Sequence, residues 1–443
     1  MNPPSIVPRS KRIFYSANQL GINVLWYAFN TVAVFFYVSE MHVSGVMLSI
    51  AMIVFGFVNA FLNLFAGYVS DRTQTRWGRR IPYIAASGLP FGLAFFFLFS
   101  PPALHGGALL TYFLVLTLLF DAAFTFNALN IGSLFPEMFQ ETKLRAQVAA
   151  LMQVFGIVGL LIGVALSKSL GQTLGWPLMA LLFAAIGVVT IYLSLLGSHE
   201  DPQYRADVAF PFRQAFVETF RNRAFVFYVV ASFLIQLSTT LFTTVSSFYT
   251  QFVVPVSPTD NSLFLGGVFI VALPVAFIWA RVTIRIGATR STIISAIWYA
   301  VAMLGFLIDH SALMLIINGL VLGVAVSGFL VLINILLANV IDYDATRTGR
   351  RREGMYLGIN GFIIRIGLSV NYLIMALYFS LSGYNSHVVV EPPSAVMGLR
   401  IVAGALPVVL MGVAVLFLGK YRRVIKTPIL ASPPGSEGPV NEL

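Results

Sequence analysis

The 443-residue sequence contains no cysteine and few charged residues. The absence of cysteine excludes disulfides, thiolate metal sites and cysteine nucleophiles. Only 10% of the residues are charged, whereas soluble domains carry about 25%. The sequence has no Gly-Lys-Ser/Thr phosphate-binding loop, and its five histidines form no metal-spaced cluster. These absences argue against a soluble domain, an enzyme, an ATP-driven pump and a metal or nucleotide cofactor.

Hydrophobic residues make up 58% of the chain, and the mean hydropathy is +0.86. Apolar runs long enough to cross a hydrocarbon core of about 30 Å recur along the whole length. They predict an all-α membrane protein with twelve transmembrane helices. The predicted helices span 16–39, 45–69, 81–100, 108–134, 146–170, 175–197, 224–249, 263–284, 290–308, 311–340, 354–382 and 397–419.

Basic residues are distributed unevenly between the two sides of this arrangement. If both termini are cytoplasmic, 24 of the 27 Lys and Arg residues lie on the cytoplasmic side. Only Lys168 and Arg400 lie near the outer surface, and Arg365 lies within a helix. The positive-inside rule therefore predicts a multi-pass protein of the plasma (inner) membrane with cytoplasmic termini. The net charge of +10 thus needs no nucleic-acid partner.

The longest polar break divides the helices into two sets of six. The predicted segments are an N-terminal half at 1–197, a cytoplasmic linker at 198–223, a C-terminal half at 224–419 and a cytoplasmic tail at 420–443. The turn from Pro136 to Arg145 has a counterpart in the turn from Asp342 to Arg352. Such a parallel repeat is typical of secondary transporters that rock two halves about a central site.

Three separated motifs resemble those of one known family. The loop after helix 2 reads SDRTQTRWGRRIPYI from Ser70, and the turn after helix 4 reads SLFPE from Ser133. The turn after helix 10 reads DYDATRTGRRREG from Asp342. Together they resemble the glycoside–pentoside–hexuronide:cation symporter family, the melibiose-permease-like branch of the major facilitator superfamily. The resemblance implies the major facilitator fold and transport of a sugar-like solute.

The first and third motifs also predict a conformational gate. An acidic residue at a helix end, beside a basic turn, can form ion pairs that stabilise one conformer of an alternating-access cycle. The candidate gate residues are Asp71, Arg72, Arg76, Arg79, Arg80, Asp342, Arg350 and Arg351.

The resemblance places the family's helix 2 cation site on two amides. Members similar to melibiose permease carry two carboxylates one turn apart, and the corresponding positions here are Asn59 and Asn63. The i, i+4 spacing keeps both on one face of the helix. Amides can donate and accept hydrogen bonds, but they cannot titrate or neutralise a cation.

Other charges of the family's central site are also replaced. The resemblance places its helix 4 aspartate at Ala128, its helix 5 arginine at Gln153 and its helix 1 aspartate near Val24. Its helix 11 lysine corresponds to Arg365, and a polar sugar contact corresponds to Asn360. Sodium coupling by the family mechanism is therefore not expected.

Two charges remain at membrane depth, where a charged side chain costs roughly 2.5–3.5 kcal/mol and usually faces a cavity or a partner. Asp121 lies seven residues before Ala128, on the same face of helix 4 and two turns nearer the outside. We predict that Asp121 is the proton-coupling carboxylate if transport is coupled; the alternative is a structural carboxyl near the outer boundary. Arg365 is predicted to hold the solute or a counter-charge.

Amide, hydroxyl and aromatic residues complete a candidate pocket, because a sugar ring can stack on indole while its hydroxyls pair with amides. The candidate substrate-binding residues are Asn23, Trp26, Tyr27, Asn30, Asn127, Asn130, Gln153, Asn360 and Arg365, and helices 7 and 10 add Gln236, Thr240, Thr243, Thr244 and Asn334. For each amide, a role in helix–helix packing is the alternative.

These features predict a secondary-type transporter of a small polar solute, a sugar or a glycoside, that works by alternating access with proton coupling or none. The predicted partners are the solute, the lipid bilayer and, where transport is coupled, a proton. Two alternatives stay open: a transporter of a lysolipid or other amphiphile, and a non-transporting assembly or pigment-delivery factor. A large polar cavity would favour transport, and tight packing would favour the assembly role.

Overall fold

The computed structural model describes residues 8–73, 75–139, 141–200, 219–348, 353–385 and 391–426. Within these residues, twelve helices are long and apolar enough to cross a membrane, which confirms the predicted number. The six helices of the N-terminal half are α1 Arg9–Phe35, α2 Gly45–Arg72, α3 Ile81–Leu98, α4 Gly106–Met138, α5 Thr142–Leu161 and α6 Trp176–Gly197; α1 continues through a π turn at Phe36–Glu40, and α5 continues through Ile162–Leu166 to Ser167–Leu174. The six helices of the C-terminal half are α7 Arg223–Phe252, α8 Pro258–Ile286, α9 Ala288–Ile308, α10 Ala312–Thr348, α11 Glu353–Leu381 and α12 Pro393–Arg400; α12 continues through Ile401–Ala405 to Leu406–Lys426.

Single glycines join two pairs of consecutive helices. Gly175 is the one residue between α5 and α6, and Gly287 is the one residue between α8 and α9. Their φ angles are 91° and 85°, a backbone region that side chains with a Cβ rarely adopt. The chain therefore reverses direction at each point without a loop.

Each half packs around its own helices. α1 packs against α5 and α6, and α3 packs against α4 and α6; in the second half, α10 packs against α8 and α9, and α7 packs against α12. Small residues allow the closest approach, as is common between membrane helices. A Cβ at Gly159 of α5 would lie 2.6 Å from the Leu20 carbonyl oxygen of α1, so this contact requires glycine.

The two halves meet through three helix pairs, α2 with α11, α1 with α7, and α5 with α8. With twelve helices, both termini lie at one end of the bundle, which we call the terminal end; the other is the opposite end. Ser247 of α7 donates to the Thr31 carbonyl oxygen of α1 over 2.8 Å, and Ser262 of α8 donates to that of Ala165 over 2.9 Å. These bonds close the opposite end between the halves.

The observed helices exceed their predicted bounds mainly at the terminal end. α1 begins at Arg9 instead of residue 16, α10 continues to Thr348 instead of 340, and α12 continues to Lys426 instead of 419. The predicted bounds of the linker stay a prediction, because residues 201–218 lie outside the described part of the chain.

Candidate functional site

Three polar side chains from three helices form a hydrogen-bonded chain at the middle of the bundle. The Asn59 amide of α2 donates from Nδ2 to Asp121 Oδ1 of α4 over 2.5 Å. The Arg365 guanidinium of α11 donates from Nη1 to Asn59 Oδ1 over 2.8 Å. Each residue lies near the middle of its helix. Asn59 thus connects the two charges predicted to remain at membrane depth, and it does so across the boundary between the halves.

Asp121 is completely buried within the N-terminal half. Its Oδ1 accepts from Asn59, whereas its Oδ2 has no hydrogen-bond partner among the described residues. Asp121 lies near the middle of α4, whereas the alternative interpretation placed a structural carboxyl near the outer boundary. Burial of a carboxylate with an unpaired oxygen costs free energy. The opposite charge of Arg365, which lies beyond Asn59, offsets part of this cost.

A cavity of about 540 Å³ lies beside this chain, between the two halves. Such a volume suits a small-molecule ligand. Asn59 and Arg365 reach its surface, whereas Asp121 does not. The lining residues come from both halves: Trp26, Tyr27, Asn59, Phe124, Leu160, Gln236, Leu237, Thr239, Thr240, Phe242, Thr243, Phe269, Tyr299, Val326, Phe329, Leu330, Ile333, Asn334, Gly361, Ile364, Arg365, Gly367 and Leu368.

Aromatic side chains and neutral polar side chains both line the cavity. Trp26 of α1 stacks on Phe124 of α4 with ring centroids 4.2 Å apart and an interplanar angle of 13°, so Phe124 covers one face of the indole. Gln236 and Thr240 of α7 and Asn334 of α10 supply neutral polar groups on the other half. Arg365 is the one charged residue among those that line the cavity.

The structure does not bring the helix 4 amides to this cavity. The Asn127 amide donates to Ser87 of α3 over 3.1 Å, and the Asn130 amide donates to the Phe126 carbonyl oxygen of its own helix. Successive helical residues turn by about 100°, so Asn127 lies about 240° around α4 from Asp121. Asn127 therefore joins helices within the N-terminal half.

Several other predicted pocket residues also lie away from the cavity lining. Asn23 packs against Gly156 and Gly159 of α5, and Asn30 donates to the Trp26 carbonyl oxygen one turn earlier. Gln153 is exposed, and Thr244 accepts a hydrogen bond from Asn371. The Oδ1 atom of Asn360 is buried and has no hydrogen-bond partner among the described residues. The close approach of α5 to α1 accounts for Asn23, and local backbone bonding accounts for Asn30.

An ion-pair cluster forms at the predicted gate. Arg79 Nη2 lies 2.7 Å from Glu137 Oε1, and Arg80 Nε lies 3.1 Å from the same oxygen. Glu200 Oε2 accepts from the backbone N–H groups of Arg79 and Arg80 over 2.9 and 3.0 Å. Sequence reasoning placed Glu200 only in the linker. Nothing in the sequence pattern indicated that its carboxylate caps the turn after α2.

The other gate candidates are less defined. Arg76 is exposed and lies over the Trp77 ring, with its guanidinium carbon 5.6 Å from the ring centroid. Asp342 is exposed at the end of α10 and has a partner. The side chains of Asp71 and Arg72, and residues Arg350 and Arg351, lie outside the described part of the structure, as does the Asn63 side chain.

Lys168, which the sequence placed only near the outer surface, is buried at the opposite end. Lys168 of α5 is 2% exposed; its Nζ donates to the Ser247 carbonyl oxygen over 2.6 Å and to Thr250 Oγ1 over 2.9 Å, both on α7. The same Nζ lies 4.5 Å from the centroid of the Phe35 ring. Lys168 therefore joins the two halves where they close.

A further polar contact across this end comes from the loop after α11. The Tyr384 hydroxyl lies 3.1 Å from Ser39 Oγ of the other half. Burial raises the pKa of Tyr384 to about 12. The phenol therefore stays neutral near neutral pH and contributes a hydrogen bond without a charge.

Comparisons with known proteins agree with this architecture. Residues 14–422 match the family described as MFS/sugar transport protein. The isoprimeverose transporter of Lactiplantibacillus pentosus is 24% identical over 86% of this chain and 82% of its own length. The glucuronide carrier protein homolog of Escherichia coli (strain K12) is 24% identical over 82% of this chain and 81% of its own length.

Two solved structures share the fold at low sequence identity. The nucleoside transporter NupG has a TM-score of 0.65 and 15% identity, covering 95% of this chain and 100% of that one. A bacterial homolog of the human lysosomal transporter Spinster has a TM-score of 0.69 and 13% identity, covering 94% of this chain and 96% of that one. The predicted major facilitator fold is confirmed.

Proposed function

Because the chain belongs to the MFS/sugar transport protein family, and with it to the glycoside–pentoside–hexuronide:cation symporters of the major facilitator superfamily, we propose that it carries a sugar or glycoside across the membrane by alternating access. It is a multi-pass membrane protein and a secondary transporter of small solutes. The isoprimeverose transporter and the glucuronide carrier homolog support a sugar-like solute.

One observation carries this proposal: a cavity of about 540 Å³ lies between two halves that are joined at one end. Tight packing between the halves would instead suit the assembly or pigment-delivery role. With cytoplasmic termini, as the basic residues favour, the closed end is the outer one and the conformation faces inward. Rocking that separates Ser247 from Thr31 would expose the cavity to the outside.

Coupling to sodium at helix 2 has little chemical support. Asn59 presents an amide whose nitrogen donates to Asp121 and whose oxygen accepts from Arg365. A sodium ion at that oxygen would lie beside the positive charge of the Arg365 guanidinium and be repelled by it. We assign coupling to a proton on Asp121, because it is the completely buried carboxyl in direct contact with Asn59.

The aromatic residues of the cavity lining support one further candidate, an amphiphile such as a lysolipid. Phe242, Phe269 and Phe329 line it together with Trp26. An acyl chain would lie on these rings, and its polar head would lie near Arg365. Competition between a lysolipid and a sugar for the same cavity would be expected if both bind there.

The test is a thermal-shift screen of purified protein against sugars, glycosides, lysolipids, sodium and pH, followed by counterflow in proteoliposomes. Ligands that bind the folded state raise the melting temperature according to affinity and concentration. We expect stabilisation by a sugar or glycoside and its exchange across the bilayer. Stabilisation that requires sodium would overturn the assignment at Asn59, and stabilisation by lysolipids alone would favour the amphiphile.

A further inference from the structure

We propose that the terminal end of α8 is a docking surface for an anionic phospholipid from the leaflet at that end. Arg281 holds the lipid phosphate, and one acyl chain lies along the exposed apolar residues beside it. The bound lipid stabilises the conformation in which the terminal end is open. This inference goes beyond the proposed function, because it concerns no transported solute.

α8 meets α5 at the opposite end of the bundle and separates from it toward the terminal end. It packs against the Ile162–Leu166 and Ser167–Leu174 segments of α5, but only marginally against Thr142–Leu161. Gly266 faces α5, because a Cβ at Gly266 would lie 3.4 Å from the Cβ of Ala165. The seam between α5 and α8 is therefore closed at the opposite end.

The face of α8 that packs on α5 is uncovered at the terminal end. Ile284 follows Gly266 by about five helical turns, so the two residues point in about the same direction. Ile284 is nevertheless 86% exposed, and Phe277, about two turns earlier, is 73% exposed. These side chains form an apolar surface that α5 leaves open to the membrane.

Arg281 lies beside this apolar surface at the depth of the lipid headgroups. α8 has 29 residues and is therefore about 43 Å long, whereas a hydrocarbon core is about 30 Å thick. A centred helix projects about 6–7 Å beyond the core at each end. Arg281 lies about 7 Å before the last residue, Ile286. Its guanidinium is thus placed where phosphate groups lie.

The charge around the turn from α8 to α9 favours an anionic partner. Arg281 and Arg285 are exposed one turn apart, and Arg290 is exposed in the first turn of α9. None of the three guanidinium groups forms a hydrogen bond or an ion pair with another described residue. The sequence contains no acidic residue between Asp260 and Asp309. The planar fork of an arginine matches a phosphate in a two-bond arrangement, and anionic leaflets attract such residues.

Occupancy of this surface depends on the conformation of the carrier. Closure of the terminal end brings α5 toward the face of α8 that carries Phe277 and Ile284, so the acyl chain is displaced. A ligand that binds one conformer more tightly shifts the population toward that conformer. The lipid therefore favours the open terminal end and, with it, the closed opposite end.

Two other ligands share part of this chemistry. A zwitterionic phospholipid supplies the acyl chain, but the cation of its own headgroup neutralises its phosphate. Inorganic phosphate supplies the charge without a chain. A comparison of the three separates the contribution of the arginines from that of the apolar surface.

The first experiment titrates the detergent-purified full-length protein with dioleoyl phosphatidylglycerol or dioleoyl phosphatidylcholine and counts bound lipids by native mass spectrometry. Inorganic phosphate is added as a competitor. The wild-type protein is compared with Arg281→Gln and with a control, Arg9→Gln, which removes an exposed arginine at the terminal end of α1. Melting temperatures establish that each variant is folded.

We expect the wild-type protein and Arg9→Gln to bind phosphatidylglycerol about tenfold more tightly than phosphatidylcholine, and Arg281→Gln to reduce this preference about fivefold. Equal binding of the two lipids, or an unchanged preference in Arg281→Gln, would overturn the inference. Displacement of phosphatidylglycerol by inorganic phosphate would assign the arginines to free phosphate and overturn the lipid assignment.

The second experiment tests the conformational effect with Thr31→Cys, since Thr31 is buried beneath the closed opposite end. A membrane-impermeant maleimide should label it about fivefold more slowly in phosphatidylglycerol vesicles than in phosphatidylcholine vesicles, and Arg281→Gln should remove most of this difference. Equal labelling rates in the two vesicles would refute the effect on conformation. Neither experiment contains a solute, so failure of the inference leaves sugar transport intact.

Discussion

Replacement of Lys168 by methionine should stabilise the conformation in which the opposite end is closed, although it removes two hydrogen bonds. In the closed conformation the ammonium is 2% exposed and reaches the Ser247 carbonyl oxygen and Thr250. Thr250 keeps a bond to Asn261 over 3.0 Å after the substitution. Methionine is unbranched and can follow the same path across Phe35.

The free-energy contributions of the two side chains decide whether the substitution stabilises or destabilises the closed conformation. The ammonium makes two hydrogen bonds and contacts Phe35, but its removal from water costs several kcal/mol. Replacing buried charged groups with apolar side chains of similar volume is often neutral or stabilising, by about 1–4 kcal/mol. A net change of about 2 kcal/mol shifts the equilibrium between closed and open states about 30-fold.

The natural absence of cysteine makes the assay direct, because one introduced cysteine is the sole thiol. Thr31→Cys lies beneath the closed end, and Ala103→Cys is exposed in the loop after α3 at the same end. A membrane-impermeant maleimide should label Thr31→Cys about 30-fold more slowly when Lys168→Met is present. Labelling of Ala103→Cys should not change. Faster labelling of Thr31→Cys would refute the reasoning and identify Lys168 as a clamp.

Further substitutions test other contacts. Glu137→Gln weakens the ion-pair cluster with Arg79 and Arg80, so it should destabilise the protein by about 2 kcal/mol and lower the melting temperature. An unchanged melting temperature would mean that the cluster does not stabilise the fold. Gln172 and Gln251 are hydrogen-bonded across the halves over 3.4 Å, so a pair of cysteines at these positions should react with a short cleavable crosslinker. The crosslink should block transport until it is reduced. Transport that continues after crosslinking would refute alternating access at this end.

The membrane helices were predictable because hydrocarbon thickness imposes run length. Hydrocarbon thickness does not limit the helix ends that project into water. The polar residues Asp342 and Arg347 end the apolar run of α10, yet the helix continues through them to Thr348. Backbone hydrogen bonds continue as long as φ and ψ allow, whatever the polarity of the side chains.

The central residues were predictable as a set, while their contacts were not. Asn59, Asp121 and Arg365 stood out because each is polar at membrane depth. The rotation of three helices about their axes decides which of them touch, and one sequence does not specify it. Ala128, the family position used to orient helix 4, does not line the cavity, whereas Phe124 does. Asn127 was misplaced because a chain neighbour of Ala128 faces a different direction on a helix.

The contacts of Lys168 and Glu200 were not predicted, for a shared reason. Each lies near the end of a helix, where a charge is unremarkable in sequence because water is close by. Their roles come from partners distant in sequence, Ser247 for Lys168 and the backbone of Arg79 for Glu200. Only tertiary packing creates such contacts.

The most direct test of the account measures proton movement driven by the solute through the chain of Asp121, Asn59 and Arg365. Proteoliposomes with a pH-sensitive dye in a weakly buffered lumen receive an inward gradient of the sugar or glycoside that stabilises the protein most in the thermal-shift screen. The account predicts acidification of the lumen with the wild-type protein, and solute exchange without acidification with Asp121→Asn. Equal acidification by both proteins, or solute entry that needs sodium in place of a proton, would contradict it.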